Sequence, residues 1–420
     1  MAANLAPTSS QVNELAGLRG MRECLQWFTR EKQWINEIHL QVCRVPAPTF
    51  LEQERAEWMV GQLRGLGWEA SIDRAGNVVA MPEAHAEGPY VALTAHLDTV
   101  LAPRNKEEIS VEPDGRFRGP GIADNGAGLA ALLAMAQALK VCPSCEAWHS
   151  DLLLVANVGE EGEGNLSGMR YLCKQSPLGK KIGAFVVLDG ANTDHITSRA
   201  LGSRRFEVTF SGPGGHSWSD YGVGNPVHAL GRAIAQFSDV RLNGSPKSSI
   251  NVGFVEGGAS VNAIPAMARA KVDIRSEDNG RMDELVDSLT AAIERAQEVE
   301  NQRATGGKIA AKIREIGARP AATVPENSAI LAYLRAVDGH LGIRSHLDCA
   351  STDANIPMSM GIPAVSIGAG GQGGGAHTMQ EWFRPEGRDL GLKRVLLTLG
   401  LLLRDPQLTG GLASAPAAAQ

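Results

Sequence analysis

The chain has 420 residues, 43% of them hydrophobic and 20% charged, with a formal net charge of -6. That length and balance describe a globular protein with room for two domains. The mildly acidic charge excludes a basic nucleic-acid-binding surface, and no apolar run is long enough to place the protein in a membrane.

The opening stretch, MAANLAPTSSQVNELAG, has no basic segment leading into an apolar one, so no signal peptide is expected. It and the tail GGLASAPAAAQ are expected to be poorly ordered. Residues 90–95 read as a strand, 126–140 as an Ala- and Leu-rich helix, 152–158 as a strand, 166–174 as a helix and 184–188 as a strand. Continuous apolar strands alternating with helices argue for a mostly parallel α/β sheet with helices on both faces.

After residue 202 the rhythm changes. Residues 204–210 alternate like a half-exposed strand, 226–237 read as a helix, and 249–255 and 267–274 as strands. Residues 283–299 form a charged amphipathic helix and 309–316 a last strand. The order β-α-β-β-α-β is that of a ferredoxin-like split βαβ unit. The α/β pattern then resumes with a helix from Pro325 to about Leu341, a strand at 364–367 and a C-terminal helix from about Asp389. That helix contains the apolar run 395–403, bracketed by Arg394 and Arg404, and is expected to be buried. The expected organisation is an α/β domain made of 1–201 and 320–420, with 202–319 inserted as a second domain.

The six cysteines are scattered, which suits reduced thiols in the cytoplasm. Only Cys142 and Cys145 make a CxxC, and without a second pair they read as loop thiols.

Several strand ends carry metal-ligand side chains. Residues 90–95 run into His96 and Asp98, 152–158 into Glu160 and Glu161, and 184–188 into Asp189. Ligands collect at the carboxyl ends of strands in open α/β sheets. Asp124, in GPGIADNGAG, precedes a helix, and His377, in GGGAHTMQEW, follows a glycine-rich loop. Singly, each has a plain structural reading: a core histidine, a helix cap, a turn residue. Together they supply nitrogen and oxygen ligands suited to zinc, and also to cobalt or manganese. Two histidines and at least three carboxylates exceed what one catalytic zinc takes, which points to two ions.

TAHLDTV, GPGIADNGAG, GEEGEGN, VVLDG and GGGAHTMQEW, in that order, resemble the M20 family of dinuclear metallopeptidases. STDANIPMSMGIPAV together with AHTMQEW is most similar to its peptidase T-like branch. The resemblance covers nearly the whole chain, makes 1–201 and 320–420 the catalytic domain, and makes the insertion, with GPGGHSWSD, a lid or dimerisation domain. It implies that His96 and Asp189 bind one ion, Glu161 and His377 the other, and that Asp124 bridges them. Glu160 is then the general base, and Asp98 holds the second ring nitrogen of His96. The peptide bond after Asp124 is often cis in the family.

On this reading the paired glutamates of GEEGEGN divide the work, one holding an ion and one handling protons. In the insertion, His216 resembles a histidine that reaches a partner subunit's site and stabilises the oxyanion. Asn262 and Arg275 match positions that contact the substrate, although Arg275, in KVDIRS, also reads as half of a structural ion pair. The glycine run 368–375 is expected to bring amides near the substrate. The implied activity is cleavage of small peptides by a homodimer paired through the lid. The alternatives are an amidohydrolase of N-acyl or N-carbamoyl amino acids and, in another class, a non-catalytic scaffold.

Overall fold

A computed structural model describes residues 9–83, 87–142, 151–242, 244–405 and 408. The chain divides into two compact units, Met1–Arg199 with Thr323–Gln420, and Ala200–Ala322.

The central sheet has nine strands. They are β1 (Trp68–Ile72), β2 (Val78–Pro82), β3 (Tyr90–His96), β6 (Leu152–Asn157), β7 (Ile182–Leu188), β8 (His195–Ala200), β15 (Ala322–Thr323), β16 (His346–Ala350) and β17 (Ala364–Ile367). Their spatial order is β1-β2-β6-β3-β7-β17-β8-β15, with β16 paired on β8. The inner four, β6, β3, β7 and β17, are parallel. Antiparallel pairings of β1, β2 and β8 flank them. All seven residues of β3 and all six of β6 are buried, as strands covered on both faces must be. β6 and β7 lie on opposite sides of β3, so the winding direction reverses at β3 and leaves a crevice at its carboxyl end.

Helices α1 (Ser9–Gly17), α2 (Arg19–Arg30), α3 (Lys32–Cys43) and α4 (Gln53–Gly65) precede the crevice-forming strands. They are followed by α5 (Gly126–Val141), α6 (Ser167–Lys174), α9 (Ala329–Leu341), α10 (Asn355–Ser359) and α11 (Arg388–Leu402). α5 is apolar all round and almost wholly buried, packing on α2, α3, α11 and β3. α11 is likewise buried, and inside it Arg394 grips both oxygens of Asp338 at 2.7 Å, so the buried guanidinium is paired. A second small sheet, β18-β19-β5-β4, joins β4 (Ser110–Val111), β5 (Phe117–Arg118), β18 (Gln372–Gly374) and β19 (Trp382–Arg384).

The other unit runs β9 (Gly202–Ser211), α7 (Pro226–Ser238), β11 (Ser248–Gly257), β13 (Met267–Ser276), α8 (Asn279–Arg303), β14 (Ala310–Arg319), which is the β-α-β-β-α-β order. Its sheet, β11-β13-β9-β14, is antiparallel throughout. Alternate residues of β13 are buried, and with Phe206, Val208 and Phe210 of β9 they pack under Leu230 and Phe237 of α7 and Leu285, Leu289 and Ile293 of α8. A two-stranded ladder, β10 (Gly215–His216) with β12 (Ala263–Ile264), is added to this unit.

Cys43 and Cys173 are buried free thiols. Cys145 lies outside the described residues. Burial pushes the Cys43 and Cys173 thiols up to about 12, which makes them unreactive. Among the described residues, no helix is long and apolar enough to cross a membrane.

Candidate metal centre

Four loops and one strand end deliver candidate ligands to the crevice beside β3. His96 ends β3, Glu160 and Glu161 follow β6, Asp189 follows β7, and Asp124 stands just before α5. His377 lies in the hairpin between β18 and β19, at φ 63. Gly159 turns the chain off β6 at φ 65, where a Cβ would collide with Ser167 Oγ at 2.1 Å. Gly121 does the same in the Asp124 loop, at φ 72, packed on Thr99. The Asp124–Asn125 peptide is cis.

Asp124 sits between the two histidines. Its Oδ1 is 3.0 Å from His96 Nε2 and its Oδ2 3.2 Å from His377 Nε2. His96 Nε2 is also 3.9 Å from Asp189 Oδ1, and His377 Nε2 is 2.9 Å from Glu161 Oε1. Ligand atoms of His96, Asp124 and Asp189 lie within 4.8 Å of one another, and so do those of Asp124, Glu161 and His377. A third group joins His96 with Glu160 and Glu161. Two ligands at about 2.1 Å from one tetrahedral ion are about 3.4 Å apart. The observed separations therefore suit shared ions, and the nitrogen and carboxylate donors suit zinc-like chemistry.

The electrostatics favour the same occupant. Burial opposes it, but hydrogen bonds and negative charge from Asp124, with Asp189 and Glu160, hold the His96 pKa well above its ordinary value. Hydrogen bonds to Asp124 and Glu161 raise His377 to about 10. Burial, then the charges of Asp124, Glu161 and Asp353, raises Asp189 to about 7. Burial would raise Asp124 too, yet hydrogen bonds from both histidines hold it below the usual carboxylate range. A cluster that retains protons this way carries excess negative charge, and divalent cations relieve it.

The supports are as specific as the ligands. The Nδ1–H of His96 donates to the backbone carbonyl of Asp98 at 2.9 Å, which leaves Nε2 for an ion. The Asp98 carboxylate stands 3.7 Å from Nδ1, so the partner of that nitrogen is the carbonyl and not the side chain. That carboxylate instead accepts the amides of Glu160 and Glu161, both at 2.9 Å, and the Thr49 hydroxyl at 3.0 Å. Adjacent glutamates are thus oriented through their backbone by a third acid.

Two further supports were not singled out in the sequence. Buried Glu381 accepts amides of Gly121 at 2.8 Å and of Ala123 and Asp124 at 2.7 Å, tying the His377 hairpin to the Asp124 loop. Burial pushes its carboxyl up to about 7. Asn125 caps α5 at Gly128 and donates to the Leu188 carbonyl at 2.8 Å, one residue from Asp189. The four-residue spacing of His377 and Glu381 in HTMQE was the available signal for the first. The glycine run is only partly a loop: Gly370 packs on α11, where a Cβ would lie 2.5 Å from the Arg388 carbonyl, and 372–374 form β18.

A tight turn adjoins the paired glutamates. The amide of Leu51 donates to the Pro48 carbonyl at 2.8 Å, and Phe50 holds φ 75. The left-handed region costs a residue with a side chain about 1–2 kcal/mol.

In the inserted unit, His216 and Asn262 are brought together by the β10–β12 ladder, where the Ser217 amide donates to the Asn262 carbonyl at 2.9 Å. Both side chains are exposed. His216 Nδ1 accepts the amides of Trp218 and Ser219 at 3.2 and 3.4 Å, so the neutral ring carries its proton on Nε2. Arg275 is not with them. It lies eight residues along from Met267, about 27 Å at strand rise. Its Nε donates to Asp273 at 2.7 Å, the ion pair that the DIR motif allowed.

Fold and centre together define a metal-dependent hydrolase of the dinuclear metallopeptidase class. The chain belongs to peptidase family M20/M25/M40, whose description it matches over residues 92–399. It is 27% identical to a succinyl-diaminopimelate desuccinylase of Corynebacterium glutamicum over 334 residues, 78% of this chain and 85% of that protein. It is 27% identical to the cytosol non-specific dipeptidase of Escherichia coli over 296 residues, which is 63% of this chain and 56% of that enzyme. A tripeptidase from Staphylococcus aureus superposes with a TM-score of 0.73 over 89% of this chain and 99% of its own, at 21% identity, a likeness of fold.

Proposed function

We propose that the protein hydrolyses a peptide bond in small peptides, with Glu160 as general base at a two-metal centre. His96 and Asp189 would hold one ion, Glu161 and His377 the other, and Asp124 would bridge them. The observation that carries this reading is the position of Asp124, with one oxygen facing each histidine. When bound, two divalent ions, zinc or in its place cobalt or manganese, make an attacking water more acidic and polarise the scissile carbonyl. Glu160 takes the proton from that water and passes it to the leaving amine. Asp98 keeps Glu160 and Glu161 in register through their amides.

The lid contributes donors. His216, with its proton on Nε2, is suited to an oxyanion, and Asn262 stands beside it; Arg275 stays with Asp273. We place these groups in a homodimer in which the partner's His216 serves this chain's centre. Free thiols support a reducing compartment, the cytoplasm.

A second reading has one specific support: the desuccinylase relative, by its name, removes a succinyl group from succinyl-diaminopimelate. The test is a panel of dipeptides, tripeptides, N-acyl and N-carbamoyl amino acids, assayed after loading with zinc, cobalt or manganese. Turnover of tripeptides and dipeptides above all acylated amino acids is expected. Turnover of acylated amino acids alone replaces the peptidase reading, and turnover of none removes both.

A further inference from the structure

We propose that Phe50 and Leu51 form an apolar subsite at the rim of the metal centre, selecting substrates with an aliphatic or aromatic side chain next to the scissile bond. The subsite rests on the hydrolase reading above. Its starting point is a conflict between residue type and backbone. In the turn closed by Leu51 and Pro48, the third position holds φ 75, where glycine or asparagine is favoured. This sequence puts phenylalanine there.

Core packing does not repay the strain. Phe50 is 65% exposed and Leu51 69%. Exposed apolar residues scattered singly need no explanation. Two in a row on a strained turn do, because strain persists where the surroundings over-determine it, and such places cluster at functional sites.

The surroundings here are the catalytic loop itself. Glu52 Oε1 accepts the Phe50 amide at 3.0 Å and the Gly159 amide at 3.2 Å, and Gly159 directly precedes Glu160. Thr49 donates to the Asp98 carboxylate that also holds the amides of Glu160 and Glu161. Pro48 bridges to Thr99, and the Thr99 amide donates to Ala47 at 2.9 Å. The turn and the paired glutamates are therefore one braced unit, and the turn's two exposed apolar residues belong to it. An apolar side chain of a bound substrate would cover them and leave water; the polar groups of the turn, the Thr49 hydroxyl and the Glu52 carboxylate, are already engaged by Asp98 and by the amides of Phe50 and Gly159.

Phe50→Gly separates this role from a structural one, because glycine accepts φ 75 and retains the turn. The readout is the ratio of kcat/KM for leucine-containing over glycine-containing substrates, using matched tripeptides and N-acetyl amino acids on metal-loaded protein. A hydrophobic contact of this kind discriminates by roughly tenfold or more. The ratio is expected to fall about tenfold in Phe50→Gly and to fall again with Leu51→Ser. General damage would lower both substrates alike and leave the ratio standing, which overturns the proposal, as does a ratio equal to wild type. Should the wild type hydrolyse none of these substrates, the hydrolase reading fails by itself. Calorimetric binding of N-acetyl-leucine against N-acetyl-glycine then decides the subsite: preference for leucine lost in Phe50→Gly upholds it, and equal binding overturns it.

Discussion

In the α/β unit, the groups that converge on the crevice are held from behind by buried acids: Asp98 by three hydrogen bonds to the 49 and 160–161 segments, Glu381 by three amides of the 121–124 loop. In the inserted unit, His216 stands on a two-residue ladder and Asn262 just before its partner strand, both exposed, and their side-chain hydrogen bonds come from the same short loops. The first unit is built to keep like charges together, which requires low-mobility support on every side. The second leaves both side chains exposed. The lesson is that like charges brought together need a buried scaffold, whereas neutral polar groups on the surface do not.

The largest effect that sharpens this contrast is expected at the exposed donor. His216→Ala should cost about 10²–10³ in kcat with the metal content intact, as for other oxyanion donors. Mixing His216→Ala with an inactive Glu160→Ala protein, under proven subunit exchange, should restore activity, because some mixed dimers hold one intact site. No recovery would remove the in-trans role. At the buried support the readout changes from turnover to binding. Glu381→Gln leaves one oxygen for three amides, and its –NH₂ must face an N–H. Affinity for zinc by calorimetric titration should fall about 10–100-fold, the range for groups behind a metal ligand. An unchanged affinity would reduce Glu381 to a packing residue.

The smallest effect is on stability. His377 at about 10 in the folded protein is raised above its unfolded value, so its contribution is fully present below about pH 6.5 and is lost as pH rises through about 10. Asp189, raised to about 7, acts in the same sense between about pH 4 and 7. The melting temperature of chelator-treated protein is expected to decline from about pH 6.5 to 10. A melting temperature that rises over that interval would show that the histidine is not held by Asp124 and Glu161.

The convergence of His96, Glu160, Glu161 and Asp189 was legible because each follows a strand whose burial the sequence announces, and the winding of α/β sheets gathers such ends. Asp124 and His377, in glycine-rich loops, carried no such strand signal. The β-α-β-β-α-β order of the insertion was legible for the same reason, from its alternating strands and long charged helix. Glu381, Asn125 and Thr49 were not, since a polar side chain that bonds groups distant in sequence leaves no periodic trace. The helices α1 to α4 were not assigned, although the signal was there: in RGMRECLQWFTR, Met21, Cys24, Trp27 and Phe28 stand at helical spacing and are buried where α2 packs on α5 and α11. The small sheet β18-β19-β5-β4 has strands of two or three residues, too short for any pattern. Asp98 was assigned to the correct neighbourhood, but which of its oxygens meets His96 depends on a backbone turn that residue type does not encode.

If the adjacent glutamates do different work, metal per chain and kcat, determined on the same preparations of Glu160→Ala and Glu161→Ala, will separate them. Glu160→Ala should retain two ions per chain and lose about 10²–10⁴ in kcat, as expected for a missing acid–base group. Glu161→Ala should lose an ion. A Glu160→Ala protein that turns over at nearly the wild-type rate, or that loses metal as Glu161→Ala does, would contradict the account.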